Sequence, residues 1–395
     1  MDTTLAAHKN GKRRRLLGRP LAAIRRFELH KVAVLGTLIL IMAGTGAYNP
    51  TFLSIGNLTT VASGAAPVAL ITMGMVFLLI SGSFDLSIGY LVAFLSVVGT
   101  MLLNDLGTLP GVLVILCLGI LAGSVNGLIV CGIGVNSLVA TLGTGYVLYG
   151  SASVIEGNST PTLVHATLSN IATTSAGDIS VPVWIFIGFL FVGAYLSRSV
   201  LGRSMFAVGG NMEAARYNGI RVNHVRFVPF VFMGLLGAIA ALMEIGFIGG
   251  GLSTIGGDWA LEGIAGAVVG GVSLAGGSGS VTAGVVGAAL IAIVDDVLVF
   301  LNISSSYEYV VVGVIIVVAV AADVRLRRRF TSRVRSLVWR SASEGSRSAM
   351  TQEGDMREDD IGIVLEGDNG ARRLSNDRDG IVEPVIVERG GDSDA

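Results

Sequence analysis

Apolar residues along this chain run in long unbroken blocks, separated by short breaks of Gly, Ser, Asn and Asp, and do not alternate with polar ones. A helix needs about 20 apolar residues to cross the hydrocarbon core of a bilayer. The blocks predict spans near 32–48, 58–80, 86–103, 111–133, 137–156, 181–197, 227–249, 260–276, 280–301 and 307–323. The expected fold is therefore all-α and polytopic, with about ten transmembrane helices. Two segments fit less well. The block at 58–80 starts polar, and 260–276 is short and rich in glycine.

The cations sharpen this picture. Every Lys and Arg lies in one of three stretches: Lys9 to Lys31, Arg198 to Arg226, and Arg325 onward. None occurs from Val32 to Ser197 or from Phe227 to Val324. A Lys or Arg at mid-bilayer costs roughly 2.5–3.5 kcal/mol on insertion scales, so cation-free stretches of this length belong in lipid. Charged residues make up 14% of the chain, against about 25% in soluble domains, and 52% is hydrophobic.

Basic loops stay on the cytoplasmic side. With 1–31 inside, six spans return the chain to the cytoplasm at Arg198, and four more return it at Arg325. Both termini and loop 198–226 are then cytoplasmic, in the inner membrane of a cell. The basic start followed by Ala43, Gly44, Gly46 and Ala47 also fits a signal peptide, which would leave nine spans and the same faces. Three regions follow: a basic segment 1–31, a transmembrane domain 32–323 with a cytoplasmic loop 198–226, and a tail 324–395. The tail turns acidic from Glu344 and is expected to be disordered.

Candidate chemistry is sparse. Cys117 and Cys131 lie on one expected helix, about 21 Å apart at ~1.5 Å per residue, too far for a disulfide, and read as two buried inert thiols. The four histidines fall in tails or loops, and no metal-ligand spacing occurs. The lysines are Lys9, Lys12 and Lys31, none in a phosphate-binding Gly-x-x-x-x-Gly-Lys-Ser/Thr context, so the chain is not expected to be an ATPase or to bind a cofactor or metal. Nothing points to nucleic acid. Gly119, Gly123 and Gly127 share one helix face, as do Gly263, Ala267 and Gly271, and both faces read as close helix packing. Asp85, with Ser87 and Gly89, precedes the third span and is expected to fix a turn by accepting backbone N–H bonds. Glu244, Glu262, Asp295 and Asp296 fall inside apolar spans, where acids face a cavity or a partner, and Asn126 and Asn136 join them as candidates for lining a translocation pathway.

The most informative stretch is Gly202-Arg203-Ser204-Met205-Phe206-Ala207-Val208-Gly209-Gly210-Asn211-Met212-Glu213-Ala214-Ala215-Arg216-Tyr217-Asn218-Gly219-Ile220. Asn211 suits a helix N-cap and Gly219 a helix end. Glu213-Ala214-Ala215 followed by Gly219 matches the Glu-Ala-Ala-x-x-x-Gly core of the coupling loop of ABC importer permeases. Three further stretches match in the same order: Gly82-Ser83-Phe84-Asp85-Leu86-Ser87-Ile88-Gly89, Ala140-Thr141-Leu142-Gly143, and Gly270-Gly271-Val272-Ser273-Leu274-Ala275-Gly276-Gly277-Ser278-Gly279-Ser280. Across roughly 32–323 the chain resembles the permease subunits of ribose/galactose/xylose-type ABC sugar importers. Departures from the family pattern at Ser83, Asn136, Ser278, Asp296, Val297 and Val312, and at Ala260-Leu261-Glu262, cluster in and beside the spans and bear on the solute.

The resemblance implies an ATP-driven import permease for a sugar or similar small polar solute. It implies separate ATPase subunits that hold the ATP and grip Gly202, Arg203, Asn211, Glu213, Ala214, Ala215 and Gly219. It also implies a second permease chain, identical or homologous, and an extracytoplasmic solute-binding protein, all around membrane lipid. The motifs at 83–89 and 272–277 suggest two inverted five-helix repeats. Two alternatives stay open at this point: an ion-coupled secondary transporter or channel, and an ABC permease for nucleosides or branched-chain amino acids.

Overall fold

The computed structural model describes residues 32, 34–304, 307, 309–318 and 321; the expected segments 1–31 and 324–395 lie outside them. The described elements are α1 (Val34–Tyr48), α2 (Ile55–Ile80), α3 (Ile88–Leu106), α4 (Thr108–Gly127), α5 (Ser137–Glu156), α6 (Thr167–Thr173), β1 (Ser175–Ala176), β2 (Ile179–Ser180), α7 (Val181–Arg198), α8 (Val200–Gly210), α9 (Met212–Tyr217), α10 (Val222–Ile248), α11 (Trp259–Val269), α12 (Val281–Phe300) and α13 (Tyr309–Val318). The two short strands form one antiparallel hairpin between α6 and α7.

Among the described residues, seven helices are long and apolar enough to cross a membrane: α2, α3, α4 with its π-helical extension Leu128–Ile133, α5, α7, α10 and α12. α1, α11 and α13 are shorter apolar helices at three further positions where the sequence pattern places spans. The difference is largest at the eighth expected span. Instead of a helix over 260–276, α11 ends at Val269, and Gly271 turns the chain at a φ of +89°. Gly271 therefore does not share a helix face with Gly263 and Ala267.

α2 is the central helix. The Ser54 hydroxyl accepts from the Asn57 N–H at 3.2 Å and starts it. From Leu70 to Ile80 every residue is buried. A helix apolar all round is a core helix, which is how this run reads. α10 crosses α4 at backbone contact: a Cβ on Gly123 would stand 2.3 Å from the Phe230 carbonyl oxygen, and one on Gly234 2.1 Å from that of Gly119. The small-residue face expected on α4 is this crossing. Cys131 is buried, but Cys117 points away from the bundle and is exposed, contrary to the expectation of two buried thiols. It lies two residues before Gly119, off the packed face.

The stretch 249–258 between α10 and α11 is not helical and runs along α3. The Ser96 hydroxyl lies between the Leu252 N–H (3.1 Å) and carbonyl (3.2 Å), and a Cβ on Gly89 would stand 1.9 Å from the Gly256 oxygen. The α5–α6 loop holds its beginning. Glu156 accepts from the Ser253 N–H at 2.9 Å, the Leu163 N–H donates to the Gly249 carbonyl at 2.8 Å, and Gly251 N–H donates to that of Pro161 at 3.0 Å. Buried backbone that is not helical must find partners in this way. The stretch delivers Asp258 and Trp259 into the bundle.

Candidate functional site

At the start of α11 lies a cleft of about 420 Å³ between α2, α11 and α12. Thr60, Gly64 and Val68, one turn apart on α2, form one wall. Asp258, Trp259 and Glu262 come from α11 and the residue before it, and Asp295 and Asp296 from α12. Asp258 and Glu262 stand one helical turn apart, so the same face of α11 brings both to the cleft. Glu262 is buried, and Asp258, Asp295 and Asp296 are half-buried. Asn57 Nδ2 donates to Asp296 Oδ2 at 2.7 Å and to the Phe52 carbonyl at 3.0 Å, fixing that carboxylate against the start of α2. Among the described residues no Lys or Arg lines the cleft.

Three sequence candidates for the pathway, Glu262, Asp295 and Asp296, are thus gathered in one place. The other three are not among its lining residues. Glu244 is half-buried on α10. Asn136 is exposed and caps α5, accepting from the Leu138 N–H at 2.9 Å. Asn126 is buried in a different set of contacts. Asp258 and Trp259 did not stand out in the sequence because they precede the expected span. The available signal was the spacing of Asp258 from Glu262.

Asn126 belongs to a polar relay below the α2–α3 turn. Ser87 N–H and Oγ both donate to Asp85 Oδ1, at 2.9 and 2.5 Å. Asn126 Nδ2 donates to Ser87 Oγ at 2.7 Å, and Thr144 Oγ1 donates to Asn126 Oδ1 at 2.7 Å. The Leu86 N–H donates to Thr141 Oγ1 at 3.0 Å and the Phe84 N–H to Ser137 Oγ at 3.3 Å. Asp85 thus makes the turn expected of it, and the motifs at 82–89 and 140–143 are halves of one contact. Gly89 serves close packing on Gly256.

The segment 199–221 folds as α8 and α9. Ser199 caps α8 at the Gly202 N–H, 3.1 Å, and Gly202 is buried against the Leu196 carbonyl. Arg203 is exposed, with Nη1 donating to the Arg198 carbonyl at 2.6 Å. Asn211 caps α9 by accepting from the Ala214 N–H at 2.9 Å, and Gly219 ends the segment at a φ of +79°, where a Cβ is costly. Ala215 is buried beneath α9, whereas Glu213 and Ala214 face outward. Beside them Met212 and Tyr217, which sequence reasoning passed over, are exposed; Tyr217 is 91% accessible. α9 therefore offers a small mixed apolar and charged surface. This segment packs at the Ile80 end of α2, whereas the cleft spans 60–68, about 24 Å away along that helix at ~1.5 Å per residue.

The family described as "Branched-chain amino acid transport system / permease component" matches residues 57–320. The chain belongs to this permease family. Its match contains the cleft, the relay and α8–α9. The permease is 32% identical over 292 residues to the ribose import permease protein of Haemophilus influenzae, covering 72% of this chain and 90% of that one. It is 32% identical over 302 residues to the autoinducer 2 import system permease protein of Shigella flexneri, covering 75% and 87%. It is 29% identical over 307 residues to the galactose/methyl galactoside import permease protein of Escherichia coli K12, covering 72% and 91%. No solved structure matches. The permease is a multi-pass membrane subunit of an ABC importer.

Proposed function

We propose that this permease carries a sugar, or a similarly small solute rich in hydroxyl groups, into the cytoplasm, and that the α2–α11–α12 cleft receives it. The observation that carries this reading is the set Asp258, Glu262, Asp295 and Asp296 around one cleft beside Trp259. Carboxyl oxygens accept hydrogen bonds, and sugar hydroxyls donate them. An indole supplies a flat apolar surface for the C–H face of a sugar ring. A branched-chain amino acid would bring its own carboxylate to a cleft that offers it no Lys or Arg as a partner among the described residues. Relatives that import ribose and galactose favour the same solute class.

The rest of the reading follows the family for the partners and the charges for the orientation. α9 docks on separate ATPase subunits that bind ATP, two permease chains enclose the pathway, and a solute-binding protein delivers to the cleft from outside. Both termini and α8–α9 face the cytoplasm, which puts the cleft in the outer half of the membrane. α1, α11 and α13 complete a ten-segment count in two inverted halves.

The test is uptake by the importer reconstituted in proteoliposomes with the subunits that co-purify with it, offered ribose, galactose and leucine. A sugar is expected to be taken up. Combining Asp258→Asn with Glu262→Gln is expected to cut that uptake about tenfold, the loss of roughly 1.4 kcal/mol of binding, at unchanged membrane abundance. Leucine uptake without sugar uptake, or full sugar uptake by the double amide variant, would overturn the proposal.

A further inference from the structure

Two of the sequence motifs lie about 190 residues apart and meet at one point, the C-terminal end of α8. The Gly277 N–H, between α11 and α12, donates to the Ile80 carbonyl at the end of α2, 2.9 Å away. Gly209 lies directly on this bond. A Cβ there would stand 1.8 Å from the Ile80 oxygen and 2.6 Å from the Gly277 nitrogen. From the opposite side, a Cβ on Gly277 would stand 2.5 Å from the nitrogen and Cα of Gly210, and one on Gly276 would stand 2.9 Å from the Gly209 oxygen. Three segments therefore touch backbone to backbone, with no side chain between them. α9 begins two residues after Gly210.

The other end of the same segment holds the same loop. Arg226, near the start of α10, donates through Nε and Nη2 to Ser83 Oγ at 3.2 and 3.1 Å. The α2–α3 turn is thus held from both ends of the chain that carries α9. Side-chain contacts yield by changing rotamer, whereas a backbone contact without side chains transmits displacement, since packed interiors do not compress. Two routes lead onward. One passes from Leu86 and Ser87 to Thr141, Asn126 and Thr144, on α4 and α5. The other passes from Gly277 to α11, which carries Trp259 and Glu262 into the cleft.

We propose that Gly209 is the positioning residue of a rigid junction through which movement of α9 reaches the α2–α3 turn and α11 together, so that ATPase motion reshapes the cleft. This rests on the docking of ATPase subunits at α9. Neighbouring Gly210 supplies the control: a Cβ there would meet nothing within 4 Å, although the residue is in the same helix.

The experiment uses the complete importer with its co-purified ATPase subunits in lipid. Cys117 and Cys131 are replaced by Ser, and Val61→Cys places one thiol in the cleft wall. Its rate of modification by a small maleimide is measured with and without ATP plus vanadate. Without a junction substitution the rate is expected to change with ATP–vanadate. Gly210→Ala is expected to keep that change. Gly209→Ala is expected to lose it while the complex still hydrolyses ATP. A Gly209→Ala complex that responds like Gly210→Ala overturns the junction. No response without any junction substitution overturns the α9 docking itself, and the junction with it. If Gly209→Ala does not assemble, the cycle of Arg226→Ala and Ser83→Ala decides, with coupled losses of the response supporting the junction and additive ones overturning it.

Discussion

The cleft and the relay place acids in the same bundle and treat them in opposite ways. Asp85 is surrounded: Ser87 donates to it twice, and Ser87, Asn126 and Thr144 pass hydrogen bonds on from α3 to α4 and α5. Asp258, Glu262, Asp295 and Asp296 border open volume. A buried carboxylate whose partners come from the chain acts as a rivet, because removing it leaves its donors unsatisfied. The cleft carboxylates also border open volume, where a guest can reach them. Chemical type alone does not separate the two, since Asp85 and Asp295 are the same residue.

This contrast breaks most sharply at Asp85. Asp85→Ala strands the Ser87 N–H and hydroxyl, and is expected to lower stability by about 2–3 kcal/mol. Thermal inactivation of the purified permease in detergent measures this, and an unchanged midpoint would remove the rivet. On the cleft side, Asp258→Asn with Glu262→Gln is expected to leave that midpoint in place while uptake falls. A large drop in stability instead would make these acids structural too.

Thr144→Val removes the last donor of the relay and leaves the Asn126 oxygen without it, an expected loss of about 1 kcal/mol. The same assay reads it, and a gain in stability would show that the relay ends at Asn126. The smallest effect is expected at Asp296→Asn. Its side-chain oxygen still accepts from Asn57 Nδ2, so stability should stay within about 0.5 kcal/mol. A larger loss would show that the charge itself holds α12 against α2.

Much of the architecture was legible in the sequence because lipid imposes coarse rules. Cation-free apolar blocks located the long helices, and local chemistry located the Asn211 cap, the Gly219 turn and the Asp85 turn. The cleft was half legible. Glu262, Asp295 and Asp296 were visible as acids at depth, but whether a polar residue faces a void depends on helix rotation. That is why Asn126 and Glu244 did not join them. Asp258 and Trp259 were hidden because 249–258 enters the bundle without being a helix, held by Glu156, Pro161 and Ser96 rather than by any periodic pattern. The junction at Gly209 depends on segments remote in sequence whose only local sign is glycine.

The brevity of α11 also governs how the chain is assembled. Eleven residues make about 16 Å of helix, roughly half the hydrocarbon thickness, and both flanks are backbone that lipid does not satisfy. Such a segment has no stable place in a bilayer on its own. Its partners Ser96, Gly89, Ile71 and Thr72 are on α2 and α3, which emerge earlier in synthesis, and Ala283 and Ala288 are on α12, which emerges later. The α11 wall of the cleft is therefore laid down late, into a slot that α2 and α3 have already built and that α12 closes behind it.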